Sequence, residues 1–285
     1  MPCKRLLPDR FDPEFLLPRG GANIELKTKR VAIIGCGAVG SYVVQHLAAA
    51  GVGELRLVDP EDLANGNCHR HVLGVNNVGI KKVKGLVEEF SEKYPHQICL
   101  EKAQRVQEVL AAEPAFVLEA DIIVVALGDE TLALELNRTL GARRQIHAWL
   151  DPMGLGGHVL STGDHRGCFE CLFKRHPDYG LYNAASFAAP GQSFQRSFAG
   201  CAGVFTPFGA LDASRVAGIA SRQVVNLLLQ KERRSLLVSW LGDRRSFEQN
   251  GFRVSARAQS FAVEEERFET AFAADGCPVC GSRQP

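Results

Sequence analysis

One stretch constrains the fold more than any other: "VAIIGCGAVGSYVVQHLAAAGVGELRLVD", residues 31–59. It runs as a buried apolar strand, a glycine turn, a helix and a second strand ending in an acid. Gly35, Gly37 and Gly40 form G-x-G-x-x-G at the strand-to-helix turn. Glycines there let backbone approach a phosphate, and the helix N-terminus favours its negative charge. Asp59 lies 19 residues beyond Gly40, at the end of the next strand, where an acid can bind ribose hydroxyls. The unit predicts a nucleotide site without separating NAD from ATP.

The alternation continues. Residues 39–51 form a helix, 54–59 a strand, 79–93 a helix and "QICLEKA" (97–103) a strand. "DIIVVAL" (121–127) is a β-branched run, followed by a helix near 130–142 and the strand "QIHAWL" (145–150). Strands alternating with helices predict an α/β fold with a Rossmann-like, doubly wound, mostly parallel sheet. Residues 1–30 stand apart as an irregular N-terminal extension, with Pro2, Pro8, Pro13 and Pro18 breaking any long helix.

After Asp151 the texture changes. "GLGGHVLST" has strand character, 161–206 is long and glycine-bearing, and 207–230 has the period of one long helix. The tail from "RSLLVSW" through "RSFEQNGFRVSARAQSFAV" predicts an antiparallel extension of strands. The chain therefore divides into a nucleotide-binding half, 31–150, and a second half, 151–285.

Composition excludes several classes. Lys+Arg 33 against Asp+Glu 32 gives +1, so no general electrostatic attraction to nucleic acid or membrane arises. No apolar run approaches the roughly 18–20 residues of a membrane helix. "MPCKRLLPDRFDPEF" has prolines and acids where a signal peptide needs an apolar core, so a cytoplasmic location is expected.

The segment after Asp59 favours ATP. "DPEDLANGNCHRHVLGVNNVGIKKVKG" places Asn67, Arg70 and Lys82 beyond the ribose acid. An NAD site gains little from that much positive charge. A triphosphate attacked at its α-phosphorus needs it, to neutralise the departing pyrophosphate. Asp129, in "VVALGDE", ends a central strand at the carboxyl edge of the sheet, where it suits a Mg²⁺ ion on the triphosphate. Removing its side chain is expected to leave the fold intact.

With these motifs in order — GxGxxGS, "GVGELRLVD", N-x-x-R, G-x-x-K and "LGDE" — the chain resembles the ThiF/MoeB family of ubiquitin-activating adenylyltransferases, over about residues 25–285. The resemblance implies adenylation of the C-terminal glycine carboxylate of a ubiquitin-like or sulfur-carrier β-grasp protein. It implies that Gly35, Gly37 and Gly40 cradle phosphate, Asp59 holds ribose, and Asn67, Arg70 and Lys82 engage the phosphates, with Mg²⁺ at Asp129. The family opens on R-Y-x-R-Q, whose second arginine reaches the partner's ATP across a dimer. Here "RFDPE" (10–14) has Pro13 at that position, leaving Arg5, Arg10 or Arg19 as replacements.

Nine cysteines at cytosolic redox poise argue for metal or thiol chemistry rather than disulfides. "CFEC" (Cys168, Cys171) and "CPVC" (Cys277, Cys280) lie over a hundred residues apart and can join only in the fold. Four thiolates suit a closed, structural, tetrahedral Zn²⁺ site, which the family places beside the ATP pocket. The alternative is a redox pair, but neither CxxC sits at a helix start in a βαβ unit.

Cys201, in "FAGCAGVFTP", precedes the 207–230 helix, whose N-terminus would lower its pKa and make it a nucleophile; the alternative is a small buried residue. Family members with a catalytic cysteine carry C-x-x-x-G-V here, compressed to "CAGV" in this chain. Cys36 and Cys68 are expected to pack, and Cys3 and Cys99 carry no signal. His69, His71 and His147 have no partners at metal-ligand spacing. His158, after "AWLDP", resembles a variant of stand-alone bacterial relatives linked to ubiquitin-like conjugation.

The expected activity is ATP-dependent adenylation of such a carrier's terminal carboxylate, with possible transfer to a thioester on Cys201. The sulfur donor or conjugating enzyme would be a separate protein. A homodimer is expected, with helix 39–51 as one candidate face. The alternatives are a same-fold enzyme acting on a peptide or tRNA-linked carboxylate, an NAD(P)-dependent oxidoreductase, and a catalytically silent nucleotide-binding scaffold.

Overall fold

The computed structural model describes residues 9–94, 96–163, 166–197 and 204–281. Its first element is a short helix, α1 (Pro13–Arg19), inside the stretch expected to be irregular. Asp12 caps it by accepting from the Phe15 N–H, and Pro13 takes the first position, where a missing N–H costs nothing.

There follow β1 (Arg30–Ile34), α2 (Ala38–Ala49), β2 (Glu54–Val58), α3 (Lys82–Lys93) and β3 (Ile98–Lys102). Then come α4 (Val106–Ala112), α5 (Ala115–Leu118), β4 (Ile122–Val125), α6 (Glu130–Leu140) and β5 (Gln145–Leu150). These five strands pair in parallel in the order β3-β2-β1-β4-β5. Strand β1 is central and alternates its side chains between two cores. Val31 and Ile33 face the layer of α2 and α3, while Ala32 and Ile34 face α4, α5 and α6. Helix α3 begins at Lys82 rather than 79, because Lys81 is held extended in an antiparallel bridge to Asp62.

The second half continues the same sheet. β6 (Gly156–Ser161) runs antiparallel along β5; β7 (Phe173–His176) and β8 (Gly180–Asn183) form a hairpin; β9 (Arg196–Ser197) pairs with β10 (Val204–Phe205). Helix α7 (Ala210–Leu228) sets Ala213, Ala217 and Ala220 into the core beside Val43, Val44 and Leu47 of α2. The α2 face suggested for dimerisation is therefore covered by α7 of the same chain.

β11 (Leu236–Leu241) pairs antiparallel with β6, and α8 (Arg244–Gln249), α9 (Ala256–Gln259) and β12 (Glu266–Glu269), antiparallel to β11, follow. The antiparallel extension exists, but most of "RSFEQNGFRVSARAQSFAV" is not strand. Asp243 and Ser255 cap α8 and α9 through their side chains, and these local bonds win over the alternating pattern.

Candidate active site

The three glycines of the first turn are not equivalent. Gly35 has φ +86°, and a Cβ there would lie 2.6 Å from the Ala126 carbonyl oxygen. A Cβ on Gly40 would lie 1.9 Å from the carbonyl oxygen of Gly35. Both glycines close the turn against the chain itself. Gly37, the residue at the head of α2, has no atom of the described residues within 4 Å of its missing Cβ. That open space lies at a helix N-terminus, whose free N–H groups favour an anion.

The turn is braced from behind. The buried Asp59 accepts from the Cys36 N–H at 2.7 Å and the Glu61 N–H at 2.8 Å. His71 Nε2 meets the Cys36 carbonyl at 2.8 Å, and its Nδ1 accepts from the Leu73 N–H at 3.0 Å. These partners assign the Nε2–H tautomer of a neutral imidazole, and burial lowers the His71 pKa accordingly. Cys36 is fully buried, which pushes its thiol well up and makes it a packing residue, as expected.

Gly35, Gly37, Asp59, Lys82 and Asp129 line one cleft of about 670 Å³ at the carboxyl ends of β1, β2 and β4. Lys82 is almost wholly buried and hydrogen-bonds the carboxylate of Glu61. Arg105, at the head of α4, lines the same cleft; α4 was not read from the sequence, so this cation was missed. Asp129 is more than a strand-end acid. Its Oδ1 accepts from the Thr131 and Leu132 N–H groups at 2.9 and 3.1 Å, capping α6, so the fold does lean on it.

A second cleft of about 900 Å³ shares Gly37, Ala126, Leu127 and Gly128 with the first. Arg70 lines it, with its guanidinium 4.6 Å from the Phe208 ring centre and 3.5 Å from the Thr206 carbonyl oxygen. Burial lowers the Arg70 pKa. Asn67 touches Arg70 at 3.5 Å but lines neither cleft.

The far wall of this cleft is fixed by Asp151, also unassigned from the sequence. It accepts from Ser186 Oγ at 2.7 Å, the Phe187 N–H at 2.6 Å and His158 Nε2 at 3.0 Å. His158 Nδ1 in turn meets Ser239 Oγ, which also accepts from Arg257. This buried Asp–His–Ser set is closed to solvent, so it props the wall rather than serving as a nucleophile.

Cys168, Cys171, Cys277 and Cys280 converge, all buried, with their sulfurs within 4.8 Å of one another. Hydrogen bonding to Cys171 and burial raise the Cys168 thiol, while the same bond draws Cys171 down. Cys280 accepts from the Gly167 N–H at 3.3 Å and Cys168 from Asn137 Nδ2 at 3.6 Å. Four converging sulfurs with N–H donors behind two of them fit a tetrahedral zinc site by number and donor type.

Arg10 and Arg19 flank the Phe15 ring on α1, and α1 packs on Gly51 at the amino end of β2, opposite the glycine turn. Neither lines this chain's own clefts. Arg5, Cys3 and Cys201 lie outside the described residues. Cys99 is buried, which pushes its thiol up to about 12, and Cys68 is half-buried.

A glycine turn at the head of a helix, two joined clefts at the switch point of a doubly wound sheet, and a four-cysteine cluster define a Rossmann-type nucleotide-binding protein with an attached thiol centre. The chain belongs to the ThiF family, whose model matches residues 18–262. It is 28% identical over 180 residues to the adenylyltransferase and sulfurtransferase uba4 of Aspergillus fumigatus, covering 59% of this chain and 36% of that protein. It is also 28% identical over 244 residues to the ATP-dependent ubiquitin transferase-like protein Cap2 of Vibrio cholerae, covering 79% of this chain and 40% of that one. The chain thus spans less than half the length of these curated relatives. The crystal structure of E. coli MccB with ATP shares the fold at TM-score 0.60 and 18% identity, over 90% of this chain and 68% of that chain. No helix among the described residues is long and apolar enough to cross a membrane.

Proposed function

We propose that this protein uses ATP to adenylate the terminal carboxylate of a ubiquitin-like or sulfur-carrier β-grasp protein. The observation that carries the reading is the pair of clefts sharing one glycine turn, which sets a nucleotide site directly beside room for an acyl chain. Family membership and the adenylyltransferase names of its relatives support it.

In this reading the amides of the Gly35–Gly40 turn hold phosphate, Asp59 turns from the Cys36 amide toward the ribose, and Lys82 and Arg70 take up negative charge. An oxygen of the carboxylate attacks the α-phosphorus, the bond from that phosphorus to the bridging oxygen breaks, and pyrophosphate leaves with the electron pair. Mg²⁺, held at Asp129, would neutralise the other phosphates. Zinc at Cys168, Cys171, Cys277 and Cys280 would tie the chain after β6 to its C-terminal region. In the extended form of the reading, the Cys201 thiolate attacks the acyl carbon and AMP departs. A homodimer would let Arg10 or Arg19 serve the neighbouring site.

The test is pyrophosphate exchange into ATP, driven by a β-grasp protein ending in Gly-Gly. Exchange with that protein, and none with the same protein lacking its last two residues, is the expected result. No exchange with any such carrier, but exchange with a short peptide, would favour the peptide-carboxylate alternative, to which the fold shared with MccB, solved with N-formylated MccA, lends support.

A further inference from the structure

Lys82 faces a conflict that its neighbours resolve in one direction. It is the first residue of α3, where the helix dipole disfavours a cation, and its side chain is only 4% exposed. A charge so placed needs an anion. Among the described residues the carboxylate within ion-pair distance of it is Glu61. The pairing is built by backbone: the Lys82 N–H donates to the Glu61 carbonyl at 3.1 Å, and Asp62 and Lys81 form a bridge beside them. The Glu61 N–H is itself held by Asp59 at 2.8 Å.

The two partners are unequal. Glu61 is 68% exposed at its side chain, so its carboxylate can swing into water at little cost in solvation. Lys82 cannot follow it without leaving the core. Both line the cleft that contains Gly37 and Asp59. The ammonium that Glu61 holds is the same one a phosphate in this cleft would contact.

We propose that Glu61 is an internal counter-ion that occupies Lys82 until a polyphosphate displaces it, which makes it a determinant of nucleotide selectivity. This rests on the reading of the cleft as an ATP site. Nucleosides that bring no phosphate leave the pair intact and gain nothing from Lys82. A triphosphate replaces one anion with another, and the freed Glu61 returns to solvent. When pyrophosphate leaves, Glu61 closes on Lys82 again and opposes its return.

The experiment is calorimetric titration of the whole protein with ATP, pyrophosphate and adenosine, for wild type, Glu61→Gln, Lys82→Met and the double variant. Glu61→Gln should tighten ATP and pyrophosphate by about three- to tenfold and leave adenosine unchanged. In the Lys82→Met background the same substitution should change nothing. Glu61→Asp, which withdraws the carboxylate by one methylene, should tighten ATP by a smaller factor and serves if the glutamine variant does not fold. Unchanged or weaker ATP binding in both variants overturns the proposal. So does equal tightening without Lys82, which would reveal general repulsion rather than displacement. Wild-type protein that binds no ATP would instead defeat the reading of the cleft itself.

Discussion

Gly37 and Gly40 stand three residues apart, yet one faces open space and the other its own chain. Gly40→Ala would drive a methyl into the Gly35 carbonyl oxygen, 1.9 Å away, and should unfold the turn. Gly37→Ala meets no atom of the described residues within 4 Å, so its thermal midpoint should stay within a degree or two of wild type while ATP affinity falls at least about tenfold. Calorimetry and a melting curve on the two variants check both outcomes.

A different residue sets the acid limb of stability. His147 is buried against Phe169, its Nδ1 has no partner among the described residues, and burial lowers its pKa to about 3. Its folded pKa lies below the unfolded one, so below about pH 6.5 the unfolded chain binds the extra proton and stability is lost as pH falls. Between pH 7 and 5.5 this costs about 1 kcal/mol, which His147→Phe should abolish in urea titrations at the two pH values. The sequence announced the glycines and Asp59 because their spacing carries a mechanism. It did not announce Arg105 or Asp151, whose positions depend on an unread helix and on a wall assembled from distant segments.

Helix α6 joins the clefts to the cysteine cluster. Asp129 caps its first turn, and Glu130 accepts from Asn183 at the wall of the second cleft, 3.2 Å away. Near its other end Asn137 holds Cys168 and the Phe169 N–H, and Arg138 pairs with Glu170 at 2.8 Å. Asp129→Ala therefore removes both a cap and a charge. It should cost about 1 kcal/mol of stability, whereas Asp129→Asn keeps the capping oxygen and should cost little. Both should lose magnesium-dependent ATP binding, so denaturation and calorimetry together separate the cap from the charge.

Elements with a strong single period were legible: β1, β4 and β5 as apolar runs, α2 and α7 as helices. The failures share a cause. α1, α4, α5, α8 and α9 are each seven residues or fewer, too short to display a helical period, and were decided by caps such as Asp12, Asp243 and Ser255.

At the scale of the molecule, the cysteine cluster ties residues 168–171, beside α6, to residues 277–280, beyond the last strand. Metal removal should thus act on more than local order. Treatment with a strong zinc chelator should lower the melting temperature by several degrees and, through α6, weaken magnesium-dependent ATP binding in the same titration. An unchanged ATP affinity in the metal-stripped but folded protein would show that α6 holds its place without the cluster. A metal analysis of the untreated protein should return one zinc per chain.

The cluster also has a history within each molecule. Cys168 and Cys277, whose sulfurs end 3.6 Å apart, are separated by 109 positions along the chain. A ribosome adding about 5–20 residues per second needs roughly 5–20 s to bring the second pair into existence after the first. During that interval Cys168 and Cys171 stand without the other two thiols, and a metal site there would be half built. If the cluster takes zinc, its fidelity would be set while the protein is being born, by which metal the nascent chain meets first.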